Sequence, residues 1–162
     1  MHIISKTARI SDLSDLEDSI KGSKLIIGEN VMIDSFVKIK YAGGIGNIEI
    51  GDNSCINSGC VLFSGNGINI GKNVLVAANC TFSPVNHQYQ LKNKNIINQG
   101  FAPSKGGIVI EEDVWICPGV ILLDGTHIKK GCVIAAGSIV SGITEEYAIY
   151  GGNPLKILSY RD

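Results

Sequence analysis

The sequence has no apolar run that approaches the roughly 20 residues a helix needs to cross a bilayer. Its opening stretch, "MHIISKTARISD", lacks the long apolar segment of a signal peptide. The formal net charge is -1, so no general electrostatic attraction to nucleic acid or to a membrane surface is expected. We therefore predict a cytoplasmic protein with no membrane span and no nucleic-acid partner.

Cysteine and histidine are both scarce. The five cysteines are an odd number without a Cys-x-x-Cys pair, so complete disulfide pairing would leave one thiol over and a reducing compartment is favoured. The three histidines, His2, His87 and His127, stand far apart in the sequence. Because a zinc site needs several such ligands together, we expect no metal.

What the sequence does contain is a period of six residues. From residue 110 onward an aliphatic side chain recurs at every sixth position: Ile110, Ile116, Leu122, Ile128, Ile134 and Val140. The same period recurs in three further runs and, more weakly, near the N-terminus: Ile27, Ile33 and Ile39; Ile50, Ile56 and Leu62; Ile70, Val76 and Phe82; Ile4, Ile10 and Leu16. This period matches neither the roughly 3.6 residues of an α-helical turn nor the roughly 3.5 of a coiled coil.

A six-residue period fits a short flat strand followed by a tight turn, so that three units of about 18 residues complete one triangular coil. Small side chains four places after the aliphatic residues can also point inward and leave room for the larger one. Three cysteines occupy this small position, which predicts core packing for them: Cys60, Cys80 and Cys132. We predict a single all-β domain, residues 1–162.

The regular spacing is interrupted in one place by a long insertion. The landmarks Ile27, Ile50, Ile70, Ile110 and Ile128 are separated by 23, 20, 40 and 18 residues. The interval of 40 holds about 22 extra residues, and long loops on rigid scaffolds often carry function. We predict a protruding loop at about residues 83–107, which opens with the histidine of "FSPVNHQYQ".

The repeat resembles that of the hexapeptide-repeat acyltransferases over roughly residues 25–158. This resemblance implies a left-handed parallel β-helix, which we expect to have about five to six coils at about residues 10–145 and a C-terminal segment at about 146–162. It also implies a homotrimer with active sites between subunits. Carbonic anhydrases of this fold bind zinc through three histidines, two of them close in sequence, and this chain has no such pair.

The segment "PVNH" is similar to one in sugar and xenobiotic O-acetyltransferases whose last histidine is the catalytic base. The resemblance implies that His87 takes the proton of an acceptor hydroxyl as that hydroxyl attacks acetyl-CoA. We expect direct transfer in a ternary complex, because no serine or cysteine is clearly paired with His87. Cys117 is a conceivable nucleophile, but no histidine lies near it in the sequence.

The donor site is implied by the same resemblance. Ala136, Gly137 and Ser138, in "IAAGSIV", match the stretch that contacts the pantetheine arm, although a routine turn explains them too. Lys156 in "GGNPLKIL" is placed near the CoA phosphates, and a solvated surface lysine is the competing interpretation. Trp115 points outward and is placed beside the catalytic histidine, packing beneath the loop or against a neighbouring subunit.

Recognition of the acceptor is assigned to three residues. Asn57 matches an acceptor-contacting asparagine of the family, although an asparagine at a β-helix corner also serves the turn. Asn86 and Tyr89 lie in or beside the loop, where Tyr89 could stack on a sugar. Lysines in the same loop suggest a phosphorylated or nucleotide-linked acceptor: Lys92, Lys94 and Lys105.

Together these features predict a CoA-dependent O-acetyltransferase acting on a hydroxyl of a sugar or saccharide intermediate, as in polysaccharide biosynthesis. N-acetylation of an amino-sugar nucleotide and acetylation of a xenobiotic use the same base, so both stay open. A non-catalytic β-helix subunit with a binding or structural role is the alternative of a different class.

Overall fold

The structure, a computed structural model, describes residues 2–162. Six successive triangular coils contain three strands each. In chain order the strands of these coils are β1 His2–Ile4, β2 Arg9–Ile10, β3 Asp15–Leu16, β4 Leu25–Ile27, β5 Met32–Ile33, β6 Lys38–Lys40, β7 Ile48–Ile50, β8 Cys55–Ile56, β9 Val61–Phe63, β10 Ile68–Ile70, β11 Leu75–Val76, β12 Thr81–Ser83, β13 Ile108–Ile110, β14 Trp115–Ile116, β15 Ile121–Leu123, β16 Thr126–Ile128, β17 Val133–Ile134 and β18 Ile139–Val140. After the sixth coil come β19 Ala148–Gly151 and β20 Lys156–Tyr160.

The strands form three parallel sheets, which are the faces of a prism. Face A contains β1, β4, β7, β10, β13 and β16; face B contains β2, β5, β8, β11, β14, β17, β19 and β20; face C contains β3, β6, β9, β12, β15 and β18. The chain turns from A to B, from B to C and from C back to A. We call these turns the A–B, B–C and C–A corners.

The six-residue period builds the core because each periodic side chain points into the prism. On face A, Ile70 pairs in register with Ile50 below and Ile110 above, so identical side chains stack. On face C, Phe82 pairs with Leu62 and Leu122 and is fully buried. The buried apolar side chains form one continuous cluster along the axis. Burial of apolar area is the main term stabilising such a fold.

The structure also confirms that small residues four places after the aliphatic residues point into the core. Cys60, Cys80 and Cys132 are each fully buried, and all five cysteines are free thiols. The buried thiols donate weak hydrogen bonds to carbonyl oxygens at the turns, as from the Cys80 thiol to Cys117 O at 3.3 Å. They therefore act as small core residues that also donate hydrogen bonds to backbone carbonyl oxygens at the corners.

Turn geometry explains the glycines and asparagines at the B–C corner. Gly59, Asn79, Gly119 and Gly137 occupy equivalent positions in successive coils, and all have positive φ. Phe36 takes this position in coil 2 with φ of 63° and a side chain that is 61% exposed. A bulky residue is disfavoured in this left-handed conformation, so Phe36 is the outlier of the column.

The β-helix extends beyond the residues expected from the sequence. It begins at β1 rather than near residue 10, and β19 starts a seventh turn on face B beyond residue 145. The period is hard to detect in coil 1 because this coil has a neighbour on one side only, which leaves Ile4 partly exposed. After β19 the chain reverses through residues 152–155, and β20 pairs antiparallel with β19.

The long insertion leaves the prism at the C–A corner, between β12 and β13. It contains the single helical segment of the described residues, a short 3-10 helix at Ile96–Asn98. Within residues 2–162, no helix is long and apolar enough to cross a membrane.

Candidate active site

His87 lies in a short hydrogen-bonded stem at the base of the insertion. It forms an isolated antiparallel bridge with Phe101. The Gln88 N–H donates to Gly100 O at 2.9 Å, and the Ala102 N–H donates to Asn86 O at 2.7 Å. The backbone of His87 is therefore held by its neighbours in the stem, while its side chain is exposed.

The imidazole ring is held by an aromatic contact. The ring centroids of His87 and Phe101 lie 4.7 Å apart, with the planes tilted by 40°. Within residues 2–162, the His87 ring shows this contact rather than a hydrogen bond to a carbonyl or an acid. Because His87 is exposed, a ring nitrogen is accessible and can accept a proton from a bound hydroxyl.

The outer part of the insertion is bonded to itself and carries apolar side chains on its surface. The Gln99 amide donates to Leu91 O at 3.0 Å and to Lys94 O at 2.8 Å. Four of its large side chains are exposed: Tyr89, Leu91, Ile96 and Ile97. Ile97 is 84% exposed, so this surface is apolar without being packed against its own prism.

The proposed donor residues meet at the B–C corner, at the C-terminal end of the prism. Gly137 donates its N–H to Pro118 O at 2.9 Å, which aligns the Ala136–Gly137 turn with Cys117 and Pro118 in the coil below. Ala136 and Gly137 are exposed. A Cβ built on Gly137 would meet no atom within 4 Å, so a ligand can approach this turn closely.

Ser138 differs from its two neighbours, because its hydroxyl is not available for contact with a ligand. Its side chain is fully buried. Its hydroxyl donates to Ala135 O at 2.6 Å and accepts the Gly152 N–H at 3.0 Å. The hydroxyl therefore joins the sixth coil to the C-terminal turn and presents no free polar group to a cofactor, because an inward position of the repeat faces the core.

Lys156 lies close to this corner and is exposed at the start of β20. It pairs with Gly151, and the following glycine is the one bonded to Ser138. The structure thus brings Ala136, Gly137 and Lys156 to one end of the B–C corner. An ammonium group here suits a phosphate-bearing ligand.

Trp115 is on face B, 46% exposed, between Leu75 and Val133 of the neighbouring coils. The insertion leaves at the C–A corner, which is opposite face B in a three-sided prism. Within one chain Trp115 therefore lies neither beneath the loop nor beside His87. Its predicted contact with His87 or with the loop of a neighbouring subunit stays a prediction.

The three residues predicted to bind the acceptor lie in two separate places. Asn86 and Tyr89 are exposed in the insertion, next to His87. Asn57 is at the B–C corner, where its side-chain amide donates to Val76 O at 2.7 Å. This hydrogen bond joins coil 3 to coil 4, so the Asn57 side chain stabilises the turn within its own chain.

Cys117 is at the B–C corner and half-buried. Burial raises the pKa of the Cys117 thiol, and the neighbouring Cys80 raises this pKa further. A raised pKa favours the protonated thiol, which disfavours Cys117 as a nucleophile.

His127 is part of an ion-pair network on face A and therefore has a structural role. Its Nε2 lies 2.8 Å from the Glu111 Oε1, and the Lys129 Nζ lies 3.0 Å from the same oxygen. The Lys130 N–H donates to the Glu111 Oε2 at 3.0 Å. The hydrogen bond from Lys129, followed by those from Lys130 and His127, holds the pKa of Glu111 below its usual value of 4.5.

This network predicts a pH-dependent contribution to stability. Glu111→Gln should lower the thermal midpoint at pH 7, because a depressed carboxyl pKa stabilises the fold above the unfolded value of 4.5. The difference from the unmodified protein should shrink as the pH falls through the pKa of folded Glu111. Thermal unfolding at several pH values measures it, with Glu49→Gln as the control on the same face. An equal difference at every pH would contradict the assignment.

Two residues at the base of the insertion were not singled out from the sequence. Asn66 and Asp124 lie in C–A turns of other coils, within "SGNG" and "LLDG". They could have been identified from the sequence as an amide and a carboxylate in turns of the corner from which the insertion leaves. Among residues 2–162, no group of three or more His, Cys, Asp or Glu side chains could hold a metal ion.

Comparison with known proteins supports the assignment of the six-residue repeat. The family model described as bacterial transferase hexapeptide (six repeats) matches residues 107–142. Galactoside O-acetyltransferase of Escherichia coli K12 is 31% identical over 152 residues, which cover 91% of this chain and 70% of that protein. The chain spans 55% of a Saccharomyces cerevisiae relative, provisionally named an acetyltransferase, with 35% identity over 112 residues and 69% of this chain covered.

Solved structures show the same fold. The hexapeptide-repeat acetyltransferase VCA0836 of Vibrio cholerae, complexed with acetyl-CoA, has a TM-score of 0.67 and 25% identity, with 99% of this chain and 72% of that chain covered. AntD, an N-acyltransferase of Bacillus cereus in complex with dTDP-4-amino-4,6-dideoxyglucose and coenzyme A, has a TM-score of 0.80 and 23% identity. That alignment covers 99% of this chain and 84% of the AntD chain.

Proposed function

The chain belongs to the hexapeptide-repeat acyltransferases, which have a left-handed β-helix, and on that premise we propose that it moves an acetyl group from acetyl-CoA to a hydroxyl of a saccharide acceptor. His87 is the proposed general base. The observation that carries this proposal is the exposed imidazole, held against Phe101 in a hydrogen-bonded stem at the one long break in the prism.

The proposed reaction has two proton movements. As the acceptor oxygen attacks the thioester carbonyl carbon, His87 takes the hydroxyl proton. The tetrahedral intermediate then collapses, the carbon–sulfur bond breaks, and His87 returns the proton to the departing thiolate. Histidine suits both steps because its side chain titrates near neutral pH. The protonated, half-buried Cys117 supports direct transfer over an acyl-enzyme.

We assign the donor groove to the B–C corner, where Ala136 and Gly137 leave open space and Lys156 offers a positive charge. The extended pantetheine arm would lie along this corner, and exposed backbone groups would contact it. Trp115, on the adjoining face B, supplies an apolar wall. Small side chains at the corner allow this close approach, and Ser138 stabilises the turn from inside.

We propose that each active site is shared between copies of the chain in a homotrimer. The insertion with His87 and the groove with Ala136 lie at different corners, so one copy does not bring base and donor together. Face B carries an outward apolar column that a second copy would cover: Met32, Cys55, Leu75, Trp115, Val133 and Ile149. The exposed apolar side chains of the insertion provide a matching surface.

The acceptor would bind beside the stem, where Asn86 offers hydrogen bonds and Tyr89 an aromatic face. Asn57 of a neighbouring copy is placed at the same groove, although its amide already bonds to Val76. The lysines of the insertion would favour an acceptor that carries phosphate or a nucleotide. We place the reaction in the cytoplasm, in line with the five free thiols.

The test is thiol release from acetyl-CoA across a panel of sugars, amino sugars, nucleotide sugars and xenobiotic alcohols. The proposal predicts release that depends on a hydroxyl acceptor, with an O-acetyl product identified by mass and by its lability to base. Release with amino acceptors alone would replace O-acetylation by N-acetylation. Binding of neither donor nor acceptor would favour a structural β-helix subunit instead.

A further inference from the structure

A buried carboxylate lies beneath the insertion that carries His87. Asp124 follows β15 at the C–A corner and is 8% exposed. Its Oδ2 accepts the Lys105 N–H at 2.8 Å, and its Oδ1 accepts the Gly107 N–H at 2.9 Å. Asp124 therefore holds the point at which the insertion returns to the prism, through two charge-assisted hydrogen bonds to backbone.

Asn66 extends this contact to the point at which the insertion leaves. Its side-chain amide donates to the Asp124 Oδ2 at 3.1 Å. Its backbone N–H donates to Pro84 O at 3.1 Å. Both roots of the insertion are thus bonded to one pair of residues, which we call the Asn66–Asp124 clamp: residue 84 to the Asn66 backbone, and residues 105–107 to the Asp124 carboxylate.

The turns around the clamp are closely packed against the roots of the insertion. A Cβ built on Gly107, which has a φ of +78°, would lie 2.5 Å from Gly67 O. A Cβ built on Gly125 would lie 2.9 Å from the Lys105 Cβ. The roots therefore pack directly against the turns of the adjacent coils, so any displacement of them must be transmitted outward into the stem.

We propose that the Asn66–Asp124 clamp positions His87 for acetyl transfer, an inference that rests on His87 being the base. The stem joins the two roots at the His87–Phe101 bridge, so the separation and angle of the roots set the direction of the imidazole. Asp124 touches neither the reacting atoms nor His87, and it acts as a positioning residue. A displacement of about 1 Å at a reacting group can lower a rate about 100-fold.

The test begins with Asp124→Asn, which keeps the shape but turns one acceptor atom into a donor facing N–H groups. We expect kcat to fall about 10-fold or more with the KM for acetyl-CoA changed less than about 2-fold, because the clamp bonds to none of the residues assigned to the donor groove. Amide exchange at Lys105 and Gly107 should accelerate. Asn66→Ala removes only the hydrogen bond from the Asn66 side chain to Asp124 and should give a smaller decrease in kcat. This second variant keeps the proposal testable if Asp124→Asn does not fold.

The matched control is Asp52→Asn. Asp52 is also a corner carboxylate, and it accepts the Glu29 N–H at 2.9 Å and pairs with the Lys72 Nζ at 3.3 Å. It lies at the A–B corner, away from the insertion. We expect this variant to keep the kcat of the unmodified protein.

Combining the substitution with His87→Ala separates the two proposals. If the clamp acts through His87, Asp124→Asn should not lower the residual rate of His87→Ala any further. A folded Asp124→Asn protein with full kcat, or an equal loss in the His87→Ala background, overturns the clamp while leaving the base assignment intact. Full activity of His87→Ala overturns the base assignment, and the clamp as a catalytic device falls with it.

Discussion

His87→Ala should lower kcat for acetyl transfer by at least about 100-fold, the lower end of the range for loss of a general base. Without the imidazole, the acceptor hydroxyl must attack while it still holds its proton. The KM for acetyl-CoA should change little, because His87 takes the proton of the acceptor and is not one of the residues assigned to the donor groove. Steady-state thiol release at saturating acceptor measures both constants.

The control for this variant is His2→Ala, which removes a histidine at the opposite end of the prism, where it bonds to Glu17 O at 3.1 Å. We expect His2→Ala to keep full kcat. The folded state of His87→Ala is checked by circular dichroism and by CoA binding. A folded, CoA-binding His87→Ala protein with normal kcat would remove the proposed base.

Phe82→Ala should lower the free energy of unfolding by about 3–5 kcal/mol. Phe82 is fully buried at the level of coil 4 and packs between Leu62 and Leu122 of the adjacent coils. The parallel ladder on both sides fixes the backbone, so the cavity cannot collapse easily. Because Phe82 lies two residues before Pro84, the cavity also weakens the root of the insertion. Denaturant unfolding measures the loss.

Phe36→Ala is the matched control for that stability measurement. Its ring is 61% exposed, and the backbone keeps the same positive φ whether the residue is phenylalanine or alanine. Removing this exposed ring leaves no cavity in the core, so we expect a change within about 0.5 kcal/mol. Equal losses for Phe36→Ala and Phe82→Ala would show that the inward register is wrong.

The fold could be predicted from the sequence because its geometry repeats. An inward side chain at every sixth position, such as Ile50, Ile70 or Ile110, reports the same environment many times, so isolated exceptions do not hide the pattern. The period is weaker in the first coil, because Ile4 and its neighbours are not covered from below. A hydrophobic period indicates burial, and it weakens wherever burial is incomplete.

The site was harder to predict, since it depends on which corner each turn occupies. The break in the period located His87, and the fold then placed it opposite Trp115, a relation that no local motif encodes. Ser138 shared a motif with Ala136 but took the inward position of the repeat. The contacts of Asp124 could not be read from its own segment, because its partners Asn66 and Lys105 are brought to it only by the stacking of coils.

A shared active site is tested most directly by mixing two inactive variants. His87→Ala removes the proposed base, and Ala136→Trp fills the donor groove at an exposed corner; each should be inactive alone. Closed trimers assembled from equal amounts of both should regain about a quarter of the unmodified activity, because one neighbouring pair in four joins an intact His87 to an intact groove. Activity that stays at the sum of the two separate variants, with mixed trimers demonstrated by mass, would contradict the account.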